Sequence, residues 1–402
     1  MLENMRQFGY DNNRGINNGL GGLWVNWRYD SDPLQANLDG LGQADGPDVS
    51  PPRHDRLTDL RYLHILWMYK SLHPSDTRFD SEITRYTAIV KAEFTPATDK
   101  RGWVYDEFYD LYRLSQDAFF KQASDQLATY FDTSLYHADI GAIYEVSSAF
   151  PHGSYRVDLA LEAGCALIEA GVQDGNTKWM ADGANAVQFV YAHALVPSYH
   201  ALVFQMTDVL LPDGSVNPDE SIYTGVSGHT TIHGGQVKMG ETAQEVLSLL
   251  HVYMLTHDHN YLDNATTLLD PLTAQANTFG LWDAEHLGYY AGIDFVGGDI
   301  QHAGKPVLSD KTKESGRQIQ MLEAFRVANV VTDNRYQEMQ ALMERVAAQK
   351  AYYAPGHGYL YDETVDWKPV TLKNGATEDW VTSEAMGIAL EGLLSVNESN
   401  PW

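Results

Sequence analysis

Residues 102–125 read GWVYDEFYDLYRLSQDAFFKQASD, and this stretch decides the fold. Apolar residues recur at Phe108, Leu111, Tyr112 and Leu114, the spacing of one face of an α-helix. The helical text breaks at Ser115-Gln116-Asp117 and resumes at once with Phe119 and Phe120. The stretch is therefore a helix, a tight turn and a returning helix. Two carboxylates, Asp106 and Glu107, open the first helix just after Trp103 and Tyr105.

The same unit recurs along the chain. First helices are expected over 53–72, 104–116, 154–171, 238–256, 313–332 and 378–396, each with an acid in or near its opening turn. Five of them end in a polar turn where Asp precedes an aromatic: Asp76/Phe79, Asp117/Phe119, Asp174/Trp179, Asp258/Tyr261 and Asp333/Tyr336. Asp is suited to cap the next helix, and so short a turn makes the two helices antiparallel neighbours. Between the pairs lie long, Gly-rich and aromatic-rich connections at 200–235, 281–299 and 359–375. Alternation around a Pro-Asp-Gly turn predicts a β-hairpin in the first of these. Connections so uneven favour a closed ring over an open superhelix. The reading is an all-α protein, an (α/α)6 toroid, with long loops and short β-hairpins at one end. Residues 53–402 form one catalytic domain. Residues 1–52, rich in Gly, Asn, Asp and Pro, form an irregular arm packed on it. The sixth pair lacks a second helix, which must come from the first 50 residues or be missing.

Composition narrows the function. An apolar fraction of 44% supplies a core. Lys plus Arg total 27 against 54 Asp plus Glu, a formal charge of −27. Such a surface repels phosphate backbones and anionic lipid, which disfavours nucleic-acid and membrane-surface roles. It also disfavours a strongly anionic polysaccharide unless a local basic pocket receives it. No run approaches the roughly 18 apolar residues of a membrane span. The single Cys165 lies on an apolar helical face and reads as a buried thiol. No charged-then-apolar leader opens the chain; the expectation is an extracellular or cell-surface protein trimmed of its leader, with a cytoplasmic one as the alternative. The 9 Trp and 24 Tyr favour a carbohydrate partner, because such rings stack on sugar faces while a polar edge stays available.

Helices of one rank run in the same direction, so the openings of the first helices gather at one end of the ring. Gathered there by this reasoning are Asp55, Asp59, Asp106, Glu107, Asp158 and Glu241, with Glu314, Glu378 and Asp379. Among them fall Trp103, Tyr105, Arg156, His233, Arg317, Gln318 and Trp380, expected to contact substrate. A glycosidase needs such a set: one carboxyl to protonate the leaving oxygen, another as nucleophile or base. Acids in a first turn are favoured on any helix by roughly 0.3–1 kcal/mol each, so capping accounts for each of them alone. The adjacent pair Asp106–Glu107 exceeds what capping requires, and neighbours on a helix splay by about 100°.

The text WVYDEFYDLYRLSQDAFFKQASDQL resembles a segment of the family 76 glycoside hydrolases, the endo-α-mannanase type. The resemblance implies an (α/α)6 enzyme whose Tyr-Asp-Asp supplies the catalytic acids. On that likeness Asp106 and Glu107 are nucleophile and acid/base, in either order, with Glu where the family has its second Asp.

Other motifs carry less. His229 and His233 stand four apart, but in Gly-rich text without a His-Glu-x-x-His pattern, so no metal is expected. No nucleotide-binding spacing and no Gly-x-Ser-x-Gly elbow occur, and no cofactor is expected. The competing readings on the same ring are a sugar epimerase or polysaccharide lyase, with His233, His302 or His357 as base, and a non-catalytic glycan-binding protein.

Overall fold

The computed structural model describes residues 1–11, 21–24, 26–28, 56–207, 209–211, 213–216, 236–295, 300, 302–350, 353–354, 358–360, 362–371 and 380–395. After a short helical segment at Leu2–Asn4 and Met5–Gly9 come the helices α1 (Arg56–Leu72), α2 (Asp80–Glu93), α3 (Gly102–Ser115) and α4 (Ala118–Tyr130). They continue as α5 (Val157–Asp174), α6 (Thr177–His193), α7 (Met239–Thr256) and α8 (His259–Leu269). The last are α9 (Ser315–Val331), α10 (Gln337–Arg345) and α11 (Ser383–Ser395). Each odd-numbered helix packs on the next odd one, and α11 returns to pack on α1. The ring is closed. Each of α2, α4, α6, α8 and α10 lies outside, against the odd helix before it. The sixth outer place is taken by the N-terminal segment, which touches α11 and buries Leu2 and Met5.

The inner helices are enclosed on three sides, by two ring neighbours and an outer partner. This explains why α5 and α7 are buried almost all round. Their remaining face looks down the ring axis, and that is where their charged residues fall. Gly102 lets α3 press against α5: a Cβ there would stand 2.3 Å from the backbone carbon of Glu162.

The turns follow the expected plan with corrections. Asp117 and Asp258 cap α4 and α8, accepting from the N–H groups of Phe119 and Asn260 at 3.0 Å. Asp174 does not cap α6: it is the last residue of α5, and Asn176 takes the cap instead. Asp76 lies ahead of α2 and binds Arg78 and Tyr69, while Asp333 sits in a left-handed turn at φ 52°. The aromatics Phe79, Tyr261 and Tyr336 are buried as their packing role requires.

Helix α3 begins at Gly102, two residues before the expected start, and has no acid in its first turn. Asp106 and Glu107 therefore sit in its second turn rather than opening it, where the helix dipole gives them little.

Short strands lead into four inner helices. Ser154–Arg156 pairs with Gln205–Thr207, and Gln236–Lys238 joins Gly292–Phe295 and Pro306–Asp310. Lys313–Glu314 pairs with Asp362–Glu363, and Trp380–Thr382 with Asn26–Arg28. Across the Pro-Asp-Gly turn in 200–235, Leu210 and Val216 form an antiparallel bridge as expected, while the strand 205–207 ahead of it pairs with 154–156. No described helix is long and apolar enough to cross a membrane.

Candidate active site

The ring axis holds two connected chambers. The mouth, at the opening ends of the inner helices, is a cavity of about 330 Å³ with Arg101, Arg156, Asp158, Glu241, Arg317 and Glu384 on its walls. The deeper chamber contains Asp106, Glu107, His64, His251, Gln320 and Glu391. Arg61, Trp103 and Gln244 line both and mark the passage between them.

Asp106 and Glu107 face different surroundings. The Nε of Arg61 donates to Glu107 Oε1 at 2.8 Å and lies 3.1 Å from Glu391 Oε2. The Arg61 guanidinium also covers the Trp103 ring, 4.1 Å from its centroid. His64 Nδ1 meets Glu391 Oε1 at 3.1 Å, and His64 Nε2 lies 3.7 Å from Asp110 Oδ2. Burial drives Glu107 up to about 8 against the pull of Arg61. Burial disfavours a charged His64 too, but the hydrogen bond and charge of Glu391, helped by Asp110, outweigh it and lift His64 to about 9. Glu391 is pushed up by burial and brought below its ordinary value by Arg61 and His64.

Asp106 turns instead toward Glu169 of α5 and His251 of α7, with one polar atom from each of the three within 4.8 Å of the others. His251 Nδ1 approaches Glu169 Oε1 at 3.0 Å. Burial, then the charge of Glu169, raises Asp106 far above the usual carboxylate range. Burial raises Glu169 to about 8 and holds His251 below its ordinary value. Asp106 and Glu169 are thus two neighbouring carboxyls that each favour the protonated form. The same donors, two carboxylates and an imidazole, could take a divalent cation only in competition with those protons. In the matching set of His64, Glu107 and Glu391, Arg61 already supplies the positive charge.

Of the residues expected from sequence, Asp106, Glu107 and Trp103 reach the deep chamber. Arg156, Asp158, Glu241 and Arg317 reach the mouth. Arg156 pairs with Asp158 and lies 3.5 Å from Glu241; Arg317 lies 3.2 Å from Glu384. Tyr105 does not face the axis. It is two positions from Trp103, which turns it toward α5, and it is buried and stacked on Tyr109. Gln318 is fully buried away from both chambers, accepting from the Tyr289 N–H at 2.9 Å and donating to the Tyr289 carbonyl at 2.8 Å. Asp59 is an anchor for the N-terminal segment, accepting from the Leu23 N–H at 2.7 Å. Asp55, His233, His357, Glu378, Asp379 and the side chain of Trp380 lie outside the described residues.

Sequence reasoning missed Arg61, His64, Glu169, His251 and Glu391. For Glu169 and His251 a signal existed, since each is a polar residue in a largely apolar helix. Glu241, Gln244, Ser248 and His251 recur at three- and four-residue spacing on α7, as do Asp158 and Glu162 on α5. A polar stripe on a helix buried elsewhere must face an internal cavity.

No protein-family model matches the chain, and no curated protein matches it. Solved structures match its fold. The unsaturated glucuronyl hydrolase of Bacillus sp. GL1 is 14% identical over 86% of this chain and 86% of its own, with a TM-score of 0.60. The chain has the six-hairpin (α/α)6 fold of these enzymes. Cellobiose 2-epimerase of Bacillus thermoamylovorans B4167 is 9% identical over 98% of each chain, with a TM-score of 0.63. The α-1,6-mannanase of Salegentibacter sp. HEL1_6, of glycoside hydrolase family 76, is 12% identical over 85% of this chain and 90% of its own, with a TM-score of 0.56. That structure is an inactive variant with two adjacent aspartates replaced by alanine, in complex with α-1,6-mannotetrose.

Proposed function

We propose that the chain is a glycoside hydrolase that cleaves a poly- or oligosaccharide with Asp106 and Glu107. In this reading residues 53–402 are the catalytic domain and residues 1–52 an arm packed on it. The observation that carries it is the contrast between the two neighbours: Asp106 faces the carboxyl of Glu169, while Glu107 is bonded to a guanidinium 2.8 Å away. Two carboxyls pushed apart by their environments make an acid and a carboxylate. Asp106 gives its proton to the glycosidic oxygen as the carbon–oxygen bond breaks. Glu107, whose anionic form Arg61 stabilises, attacks the sugar carbon or activates the water that does. The mannanase variant inactivated at two adjacent aspartates supports a catalytic role for a neighbouring acid pair.

The test is release of reducing ends from a panel of polysaccharides by wild type, Asp106→Asn and Glu107→Gln. Each substitution is expected to lower turnover by at least ~10²-fold at a temperature where the variant is folded. Wild-type rates from both variants sink the assignment.

A second reading is favoured by the two histidines. His251, held neutral by burial, and His64, held protonated, both line the deep chamber and suit removal and return of a carbon-bound proton, as in a sugar epimerase. Solvent deuterium on a carbon of recovered sugar, without new reducing ends, selects this reading over hydrolysis.

A further inference from the structure

Beside the mouth lies a lateral cavity of about 760 Å³, between the loop ahead of α3, the α4–α5 connection and α5 itself. It shares Arg101, Arg156 and Leu159 with the mouth, so the two surfaces are continuous. Its size falls in the range of sites that enclose ligands, about 300–1,000 Å³. The outer wall is a hairpin in which Glu145 and Ser154 exchange backbone hydrogen bonds of 2.9 Å. Lys100 latches that hairpin to the loop before α3 through an ion pair with Glu145. The half-buried rings of Tyr130 and Phe150 add flat apolar surface.

Its charge runs against that of the chain. Lys100, Arg101 and Arg156 line it against a single carboxylate, Glu145, in a protein with 27 basic and 54 acidic residues. Lys100 and Arg156 are paired. The Arg101 guanidinium, at the junction of lateral cavity and mouth, makes no hydrogen bond or ion pair among the described residues and feels the longer-range charge of Glu162. A neutral sugar offers such a cation only dipoles. A carboxylate or sulfate on a sugar ring offers it a full counter-charge, while the ring lies on the aromatic wall.

We propose that the lateral cavity is a subsite for glycan units carrying an anionic group, with Arg101 as its cationic partner. The glycan then runs over the Arg101–Arg156 junction into the mouth. This rests on the glycosidase reading of the deep chamber and assigns that enzyme an acidic glycan.

The experiment uses the Asp106→Asn/Glu107→Gln protein, so no ligand is consumed, and calorimetric titration. The probes are tetrasaccharides of galacturonan, hyaluronan and chondroitin sulfate, each beside its carboxyl-reduced or desulfated counterpart. At least one acidic probe is expected to bind tenfold or more tightly than its neutralised form, and the pair with the gap identifies carboxylate or sulfate. Arg101→Gln closes that gap. Ser134→Trp, a bulky ring at an exposed position on the cavity wall, weakens the tetrasaccharide while the melting temperature holds. Equal binding of all pairs, absence of binding by every acidic probe, or a gap that survives Arg101→Gln overturns the proposal. Because binding is read without turnover, it stands or falls separately from hydrolysis by the wild type.

Discussion

Arg61 and Glu107 meet at 2.8 Å in a buried site where Glu391 also closes on the same guanidinium nitrogen at 3.1 Å. One cation thus holds two carboxyls from two different helices. Removing one member of a buried ionic set leaves uncompensated charge and costs about 3–5 kcal/mol. Arg61→Leu is therefore expected to lower the unfolding free energy by that order and to abolish activity. Arg61→Lys keeps the charge but loses the planar fork and the cover over Trp103, so stability recovers more than activity. Denaturant titrations and kinetics of both variants decide it.

The pH dependence has a definite sign. Burial raises Glu107 and Glu169 in the folded protein to about 8, from an ordinary value of 4.5. Between those values the folded state holds more protons than the unfolded one, so stability falls as pH rises from about 4.5 to 8. Glu169→Gln is expected to flatten the decline in melting temperature over that interval. For catalysis, kcat/KM is expected to climb as Glu107 loses its proton near pH 8. A rate that peaks at pH 5 contradicts these roles.

Gln318 offers a contrast. Its amide makes both hydrogen bonds to the backbone of Tyr289, at 2.9 and 2.8 Å, in a fully buried position. Gln318→Ala strands a donor and an acceptor, each worth about 1–3 kcal/mol. A loss of roughly 2–6 kcal/mol in chemical denaturation is expected from these two groups, with KM unchanged at a temperature where the variant is folded.

Gly102→Ala tests the seating of the catalytic helix. The new methyl would meet the Glu162 backbone at 2.3 Å, so α3 must move off α5. Overpacking of this kind costs about 1–3 kcal/mol. The shift carries Asp106 away from Glu169, so kcat is expected to fall more than tenfold while helix content by circular dichroism stays constant.

The helix pairs were legible because an apolar stripe with a 3.6-residue period and an Asp-aromatic turn are local features of the text. The acid pair was legible because two adjacent carboxylates after Trp103 have no packing purpose. The partners of that pair were hidden for a geometric reason. The polar stripe of α7 that ends in His251 points to a cavity, but which residues of the other helices share that cavity depends on where both ring neighbours lie. Tyr105 shows the converse error: proximity in sequence to Asp106 placed it at the mouth, while helical rotation turned it into the core. Gln318 was misplaced in the same way by its neighbour Arg317, which does reach the mouth.

Ring closure ties chemistry to biosynthesis. Arg61 belongs to α1, Glu107 to α3 and Glu391 to α11, so the buried ionic set draws on segments more than three hundred positions apart, at opposite ends of the helical array. A nascent chain still on the ribosome can pair its early hairpins, yet until α11 emerges Arg61 and His64 lack Glu391. Premature release at a stop codon ahead of residue 391 therefore yields a product without a competent centre, however well its earlier hairpins associate.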